Sequence, residues 1–349
     1  MSRTRENYSS LRLLVFVTAS MLALASSPQP AQAENLAPIK FRQSFIPSEQ
    51  YFPEQIAIDK KFYEKEGLSV EMLRSTGGGN AATLVAAGND RVGVAGASDV
   101  LIARGKGLDI IAIALNTPQD PTAIISLRSN PIRNITELRG KRVGAIAGST
   151  AFALLRALLT SNNLSENDVK IVLIGAGDLV SSVMGQRVDA IAAFETTNVP
   201  AIRAAGSDPV SLRFADLGLR VPGNVYMANG EFARAHADVV SRFLVGTIRG
   251  WQETAKDDGK EGLSLVIKAY PELADQRAML AERWEFRTRN NYNPYESGKP
   301  VTTEAFKFDP RTIETLNAAL VGAGSVPAGL PLPTVFTNKY VDDAAKLMK

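Results

Sequence analysis

The sequence predicts an α/β protein built as two lobes, each with a largely parallel sheet. Short runs of β-branched and other apolar residues alternate with helical stretches along most of the 349 residues, and this alternation is typical of βα units. Two segments without a periodic pattern, 117–121 and 221–224, interrupt the alternation. We therefore expect one βα set, a crossing, a second βα set, a return crossing and a mainly helical C-terminal region.

The expected elements follow from runs of apolar residues and from the turn and cap residues that bound them. The expected strands cover 39–44, 68–74, 92–95, 109–115, 123–127, 142–147, 170–174, 188–194 and 225–228. The expected helices cover 49–66, 80–87, 98–105, 150–162, 179–186 and 197–205, with further helices after 231. Residues 34–118 and 224–349 are then expected to form lobe 1, and 119–223 lobe 2.

The first 33 residues have the composition of a secretory signal peptide. Three arginines precede an uncharged run at 13–25, and the small-residue triplet Ala-Gln-Ala follows at 31–33. A spanning helix needs about 20 apolar residues, so we expect cleavage after Ala33 and release into the periplasm. Removing this leader leaves 36 basic against 35 acidic residues, a balance that gives no reason to expect nucleic-acid binding.

The chain contains no cysteine. This composition excludes disulfides, cysteine-based zinc sites, a thiol nucleophile and a lipid-modified cysteine after the leader. We therefore expect a freely diffusing periplasmic monomer that carries no metal and no cofactor.

Several stretches resemble the substrate-binding proteins of ABC importers for nitrate, sulfonates, taurine and thiamine pyrimidine precursors. In chain order these stretches are 57–70, 77–79, 84–88, 135–145, 186–190 and 249–251, and the resemblance runs from about residue 39 to 270. Residues 189–197 and 213–218 look closest to the pyrimidine-precursor branch. The region after Arg287, with its unusual stretch 290–293, departs from the family pattern and carries no functional expectation.

This resemblance implies a type II periplasmic binding protein fold, in which two α/β lobes are joined by two crossing segments. It further implies that a small solute is held in the cleft between the lobes and that the closed protein docks on an ABC transporter permease. A periplasmic sensor module that presents the solute to a membrane kinase is an alternative that the sequence leaves open.

Candidate ligand-binding residues lie where strands end, because ligands of open α/β sheets bind beyond the carboxyl ends of the strands. These candidates are Phe45, Tyr51, Thr76, Gly77, Gly78, Gly79, Asn80, Ser98, Thr117, Gln119, Ser149, Thr150 and Glu195. The three glycines let a backbone approach a ligand closely, although a tight strand-to-helix turn also accounts for them. Ser98 and Ser149 either contact the solute or cap a helix.

Glu195 follows an apolar strand, at the position where the resemblance implies a ligand contact. A carboxylate there would accept hydrogen bonds from an amine and would repel an anion, whereas the alternative is an ordinary helix-start carboxylate. Phe45 and Tyr51 could stack a flat ring or serve the core. We therefore expect a neutral or cationic nitrogen-bearing solute, such as a pyrimidine-like thiamine precursor, with a sulfonate, taurine or nitrate anion as the alternative.

The sequence does not predict an enzyme. His236 is the only histidine, it lies in a helical stretch among charged residues, and no nucleophile or phosphate-loop motif is present. The fungal pyrimidine synthases that share the expected fold depend on a histidine and a cysteine-rich segment, which this chain lacks. The resemblance to them therefore does not extend to catalysis.

Overall fold

A computed structural model describes residues 36–349 of the chain. The predicted signal peptide, 1–33, lies outside the described residues. Within the described range, no helix is both long and apolar enough to cross a membrane.

The described residues form ten strands. These are β1 (Ala37–Arg42), β2 (Leu68–Leu73), β3 (Val92–Gly96), β4 (Ile110–Leu115), β5 (Thr122–Leu127), β6 (Arg142–Ala145), β7 (Lys170–Leu173), β8 (Ala190–Phe194), β9 (Pro209–Arg213) and β10 (Asn224–Asn229). One sheet has the order β2-β1-β3-β10-β4, and the other has the order β7-β6-β8-β5-β9. The expected two α/β lobes are confirmed, but each sheet is mixed rather than largely parallel, because β10 and β5 run antiparallel to both of their neighbours. The exact domain boundaries stay a prediction.

The helices cover the sheets and make up most of the C-terminal region. They are α1 (Phe52–Asp59), α2 (Phe62–Lys65), α3 (Gly78–Ala86), α4 (Ala97–Gly105), α5 (Thr150–Ser161), α6 (Leu179–Met184), α7 (Glu195–Ala204), α8 (Gly230–Ala235), α9 (Ala237–Lys256), α10 (Lys260–Ala269), α11 (Arg277–Arg289), α12 (Pro310–Gly322), α13 (Leu332–Val335) and α14 (Lys339–Leu347). Short 3-10 helices lie at Glu49–Tyr51, Ile135–Leu138, Ala176–Asp178, Phe214–Leu217, Pro271–Gln276 and Thr303–Phe306.

Two elements differ from the sequence-based expectation. The single helix expected over 49–66 is divided, because Lys61 has a φ of 57° and so separates α1 from α2. Strand β9 is not among the strands that the sequence predicts, since it begins with Pro209, a residue that disfavours a strand in most contexts. It forms the edge of the second sheet beside β5, where a proline at the first position is tolerated.

The two crossing segments are hydrogen-bonded to each other. The Thr117 N–H donates to the Asn224 carbonyl at 2.9 Å, and the Gly223 N–H donates to the Thr117 carbonyl at 3.0 Å. The Asp120 N–H donates to the Val221 carbonyl at 2.9 Å. The connection between the lobes is therefore a narrow antiparallel ribbon rather than two independent loops.

The lobes also share buried apolar surface. One cluster joins Ala97 and Leu101 of α4 to Leu154 and Leu158 of α5, and it includes Leu316 of α12. Helix α12 packs against both α4 and α5. The described arrangement is therefore closed, with the C-terminal region in contact with both lobes.

Candidate ligand-binding site

The predicted loops lie at matching edges of the two sheets. In the first sheet β1 is parallel to β2 and β3, so the segments after these strands leave from one edge. In the second sheet β6 is parallel to β7 and β8, so residues 148–150 and Glu195 also leave from one edge. Such carboxyl edges are where α/β sheets bind ligands.

Three of the predicted loops meet at Asp99. The Thr150 hydroxyl of lobe 2 donates to Asp99 Oδ2 at 2.9 Å, and the Gly96 N–H donates to the same oxygen at 3.1 Å. A β-carbon on Gly96 would lie 2.8 Å from Thr150 Oγ1, and one on Gly78 would lie 2.0 Å from Asp99 Oδ2. Glycine at these two positions therefore permits the close approach of the loops.

Asp99 is a buried acid without a basic partner in the described part of the chain. Burial raises its pKa to about 6, although the bonds from Thr150 and Gly96 lower it in part. Asp120, in the first crossing, is similar: burial raises its pKa to about 6, the charge of Asp99 raises it further, and the Thr122 N–H at 2.8 Å opposes this. The region between the lobes therefore holds two carboxylates whose ionisation is disfavoured.

Glu195, the first residue of α7, is 1% exposed. Its Oε1 lies 2.7 Å from Arg213 Nε and also accepts from the Tyr292 hydroxyl, while its Oε2 accepts from the Ser211 hydroxyl. A carboxylate has about four acceptor positions, and these contacts use three of the positions on Glu195. A contact between Glu195 and a solute stays a prediction.

The remaining candidates of lobe 1 differ in exposure. Phe45 is 39% exposed, whereas Tyr51 is buried and its hydroxyl accepts from the Ser44 N–H at 2.7 Å. The Thr76 N–H donates to Asn80 Oδ1 at 3.4 Å, which closes the glycine turn on itself. Gly77 has a φ of 154°, a conformation that favours glycine.

The two predicted serines differ in their hydrogen bonding. Ser149 caps α5 by accepting from the Phe152 N–H at 3.1 Å. Ser98 is not a cap, and its buried hydroxyl has no hydrogen-bond partner among residues 36–349. Ser98 therefore has the capacity for a ligand contact that Ser149 already uses for its helix.

The candidates at the crossing belong to a polar cluster. The Thr117 hydroxyl donates to Asn116 Oδ1 at 2.9 Å, and Gln119 Oε1 accepts from Arg220 at 3.4 Å. Arg287 of α11 is 3% exposed; it donates to Asn293 Oδ1 at 3.1 Å and to the Thr117 hydroxyl at 3.4 Å. Burial lowers the pKa of Arg287.

Sequence reasoning missed Asp120, Arg213, Arg287 and Tyr292. Asp120 lies in a segment without a periodic pattern, and Arg213 ends β9, a strand that the sequence does not predict. Arg287 and Tyr292 belong to the region where the family pattern fails. The departure from the family pattern is the only sequence signal for these two residues, because no local sequence pattern connects Tyr292 with Glu195.

His236 lies between α8 and α9, where its ring centre is 5.0 Å from that of Phe232. Residues 36–349 include no group of three or more histidine or acidic side chains arranged to hold a metal ion.

The NMT1/THI5-like family profile matches residues 49–261, which is more than half of the sequence. The chain belongs to this family.

Among its relatives, the riboflavin-binding protein RibY of Chloroflexus aurantiacus is 26% identical over 342 residues, covering 93% of this chain and 92% of RibY. The 4-amino-5-hydroxymethyl-2-methylpyrimidine phosphate synthase of Schizosaccharomyces pombe is 23% identical, covering 59% of this chain and 62% of the synthase. This chain is thus similar to a protein named for binding over most of its length and to a protein named as an enzyme over part of its length.

The fold is that of periplasmic binding proteins. The crystal structure of the periplasmic aliphatic sulphonate binding protein SsuA from Escherichia coli superimposes with a TM-score of 0.67 at 16% identity, covering 88% of this chain and 99% of SsuA. At that identity the likeness establishes the fold alone.

Proposed function

We propose that the protein is the periplasmic solute-binding receptor of an ABC importer and that it holds a nitrogen-bearing ring compound between its lobes. The observation that carries this proposal is the meeting of strand-end loops from both lobes at the buried Asp99. A solute bound there would contact residues of both lobes, so its binding would favour the closed arrangement that a permease recognises. The candidates in the glycine turn, Ser98, Thr150 and Glu195 are proposed as contacts.

The acids support a donor-rich solute. Asp99 and Asp120 are buried and have no basic partner in the described residues, so an anion placed beside them would be repelled. Ring nitrogens and amino groups that carry hydrogen would instead donate to them, and hydrogen bonds to ionised acceptors are roughly twice as strong as neutral ones. A pyrimidine or a flavin offers such donors on a flat ring, and RibY is named for a flavin.

A sulfonate-type anion is the second candidate, because Arg287 is a buried cation near the crossing. Its guanidinium hydrogen-bonds only neutral groups, Asn293 and Thr117, while the charges of the buried Glu49 and Glu54 act on it without a direct bond. Burying a charge is costly unless hydrogen-bonded partners compensate it. An anionic group of a solute would provide that compensation.

We further propose that the protein is not an enzyme. The chain has no cysteine, and its single histidine packs on Phe232 in the helical region between α8 and α9. The carboxylates of the cleft loops are then binding groups rather than proton-transfer groups.

A thermal-shift and calorimetry panel on residues 34–349 tests the solute class. Riboflavin and 4-amino-5-hydroxymethyl-2-methylpyrimidine are compared with taurine, an alkanesulfonate and nitrate. A ligand present at 100 times its Kd adds about 2.7 kcal/mol, which for this size raises Tm by several degrees. We expect a rise with a nitrogen-bearing ring; a rise with sulfonates alone would establish the second candidate instead.

An engineered disulfide tests whether the solute lies between the lobes. In Gly96→Cys with Thr150→Cys, the β-carbon of residue 96 lies 2.8 Å from the γ-atom of residue 150 and 2.9 Å from Asp99 Oδ2. A disulfide between the lobes therefore needs a small local shift of the Asp99 side chain. The oxidised variant should exchange its solute far more slowly than the reduced form. The Thr150→Cys single variant is the control, and equally fast exchange by the oxidised double variant would remove the solute from the cleft.

A further inference from the structure

Helix α11 and the turn after it pack into both lobes. Leu280 and Trp284 belong to the buried cluster of lobe 1, where the Trp284 ring centre lies 5.0 Å from that of Phe52. Phe286 and Tyr292 belong instead to a cluster made of β5, β8, α6 and α7 residues of lobe 2. Adjacent turns of one segment are therefore anchored on opposite sides of the cleft.

Polar contacts strengthen the anchor in lobe 2. Tyr292, which is fully buried, donates its hydroxyl to Glu195. Arg213 donates to Asn290 Oδ1 and its guanidinium lies 5.8 Å from the centre of the Tyr292 ring. Between the two anchors, Arg287 donates to Thr117 in the first crossing.

We propose that residues 284–293, here called the clasp, form a third connection between the lobes and that the Tyr292–Glu195 hydrogen bond holds the closed state. Opening the cleft requires either the Phe286 and Tyr292 rings to leave lobe 2 or Leu280 and Trp284 to leave lobe 1. The first route also breaks a hydrogen bond to a buried carboxylate, which is among the stronger bonds in proteins. The clasp includes the stretch 290–293, where the sequence departs from the family pattern.

The proposal of a clasp rests on the proposed closure of the two lobes, but the experiment that tests it needs no solute. Thr150→Cys provides the only thiol of the chain, at a buried position where the native hydroxyl contacts Asp99 of the other lobe. A maleimide can reach this thiol only when the lobes part, so the labelling rate measures the open population. The rate is compared in backgrounds that differ by one hydroxyl group.

Tyr292→Phe keeps the buried ring and removes the hydroxyl, and it should raise the labelling rate at least about tenfold, as expected for a hydrogen bond to a charged group. Tyr63→Phe is the matched control, because the Tyr63 hydroxyl is also buried and hydrogen-bonded, at 3.0 Å to the Thr247 hydroxyl, but both residues belong to lobe 1. That change should leave the rate within about twofold. Equal rates in the two variants would overturn the proposal.

Two further variants distinguish the loss of the Tyr292–Glu195 hydrogen bond from a general destabilisation of the protein. In a Glu195→Gln background, Tyr292→Phe should accelerate labelling less than in the native background, because the pair no longer includes a charge. Asn290→Ala removes one partner of Arg213 and the hydrogen bond from the Asn290 amide to the Phe286 carbonyl, but it leaves the Tyr292–Glu195 bond in place. It should give a smaller acceleration with an unchanged circular dichroism spectrum. If Tyr292→Phe has its full effect without the Glu195 charge, the hydrogen bond is not the element that holds the lobes.

Discussion

Asp99 and Glu195 occupy comparable places in the two lobes but have different surroundings. Each lies in the first turn of a helix that follows a buried strand, and each accepts a hydroxyl hydrogen bond from outside its own lobe's sheet, from Thr150 and Tyr292 respectively. Glu195 is also ion-paired with Arg213, whereas Asp99 has no basic partner among the described residues. The acid of lobe 2 is therefore compensated within the protein, and the acid of lobe 1 is not.

This difference separates two uses of a buried acid. A compensated carboxylate stabilises its neighbours, and its removal leaves a cation and donors unpaired. An uncompensated one destabilises the protein in its ionised form, and such a cost is tolerated where a ligand will supply the missing donors. The same acid-to-amide substitution should consequently have opposite signs in the two lobes.

The largest effect is expected for Glu195→Gln, which removes the partner of Arg213 and weakens the bonds from Tyr292 and Ser211. We expect the free energy of unfolding to fall by about 3 kcal/mol at pH 7, the lower end for a broken buried pair. Urea denaturation measures this change. Glu166→Gln, in the exposed pair with Arg156, is the control and should change the value by less than about 1 kcal/mol; a similar loss in both would contradict the comparison.

Asp99→Asn should stabilise the solute-free protein at pH 7 by up to about 3 kcal/mol, because burial raises the Asp99 pKa from 3.8 to about 6 and a shift of one pKa unit corresponds to about 1.4 kcal/mol. The folded state then binds more protons than the unfolded state between about pH 4 and 6. The contribution of Asp99 to the free energy of unfolding accordingly falls as the pH rises from about 4 to 6, and it stays low above pH 6.

Denaturation of the native protein and of Asp99→Asn across pH 4–7 measures this dependence. The native protein should show the steeper decline, and Asp120 should contribute in the same direction, since burial raises its pKa as well. The variant should at the same time bind an amine-bearing solute less tightly. If the two pH profiles run parallel, Asp99 is already ionised without cost, and the contrast with Glu195 disappears.

A smaller effect is expected in the glycine turn. Gly78→Ala places a β-carbon 2.0 Å from Asp99 Oδ2, so we expect a loss of about 1–2 kcal/mol from the forced rearrangement. Gly79→Ala is the matched variant in the same helical turn, with no atom within 4 Å of the added carbon. It should be neutral or slightly stabilising, because alanine favours helix. Equal losses in thermal denaturation would mean that Asp99 does not require the close approach.

The sequence predicted the lobes and the loops because both depend on local patterns. Strand ends such as 75–80 and 148–150 show a change from apolar to small or polar residues within a few positions, and parallel strands bring such ends to one edge. The pairing of Glu195 with Tyr292 has no comparable signal. The two residues are 97 positions apart, and a tyrosine in a helical region predicts burial in its own layer more readily than insertion into another lobe.

The predicted contact between Glu195 and a solute illustrates the same limit. Its position at a strand end is visible in the sequence, whereas its ion pair depends on Arg213, at the end of an edge strand that starts with a proline. A donor or cation that compensates a buried acid can come from any part of the chain. Burial and exposure of an acid are thus predictable from its strand, but its state of compensation is not.

Strand β10 has a consequence for the order in which the chain can assemble. It lies between β3 and β4 in the first sheet, yet it is supplied by residues that follow the whole of the second sheet. The second sheet is continuous in sequence and can form from residues 122–213 alone, whereas the first keeps two unpaired strand edges until residue 229 has emerged. Because distant pairings form slowly, lobe 2 should fold first and provide the template on which lobe 1 is completed.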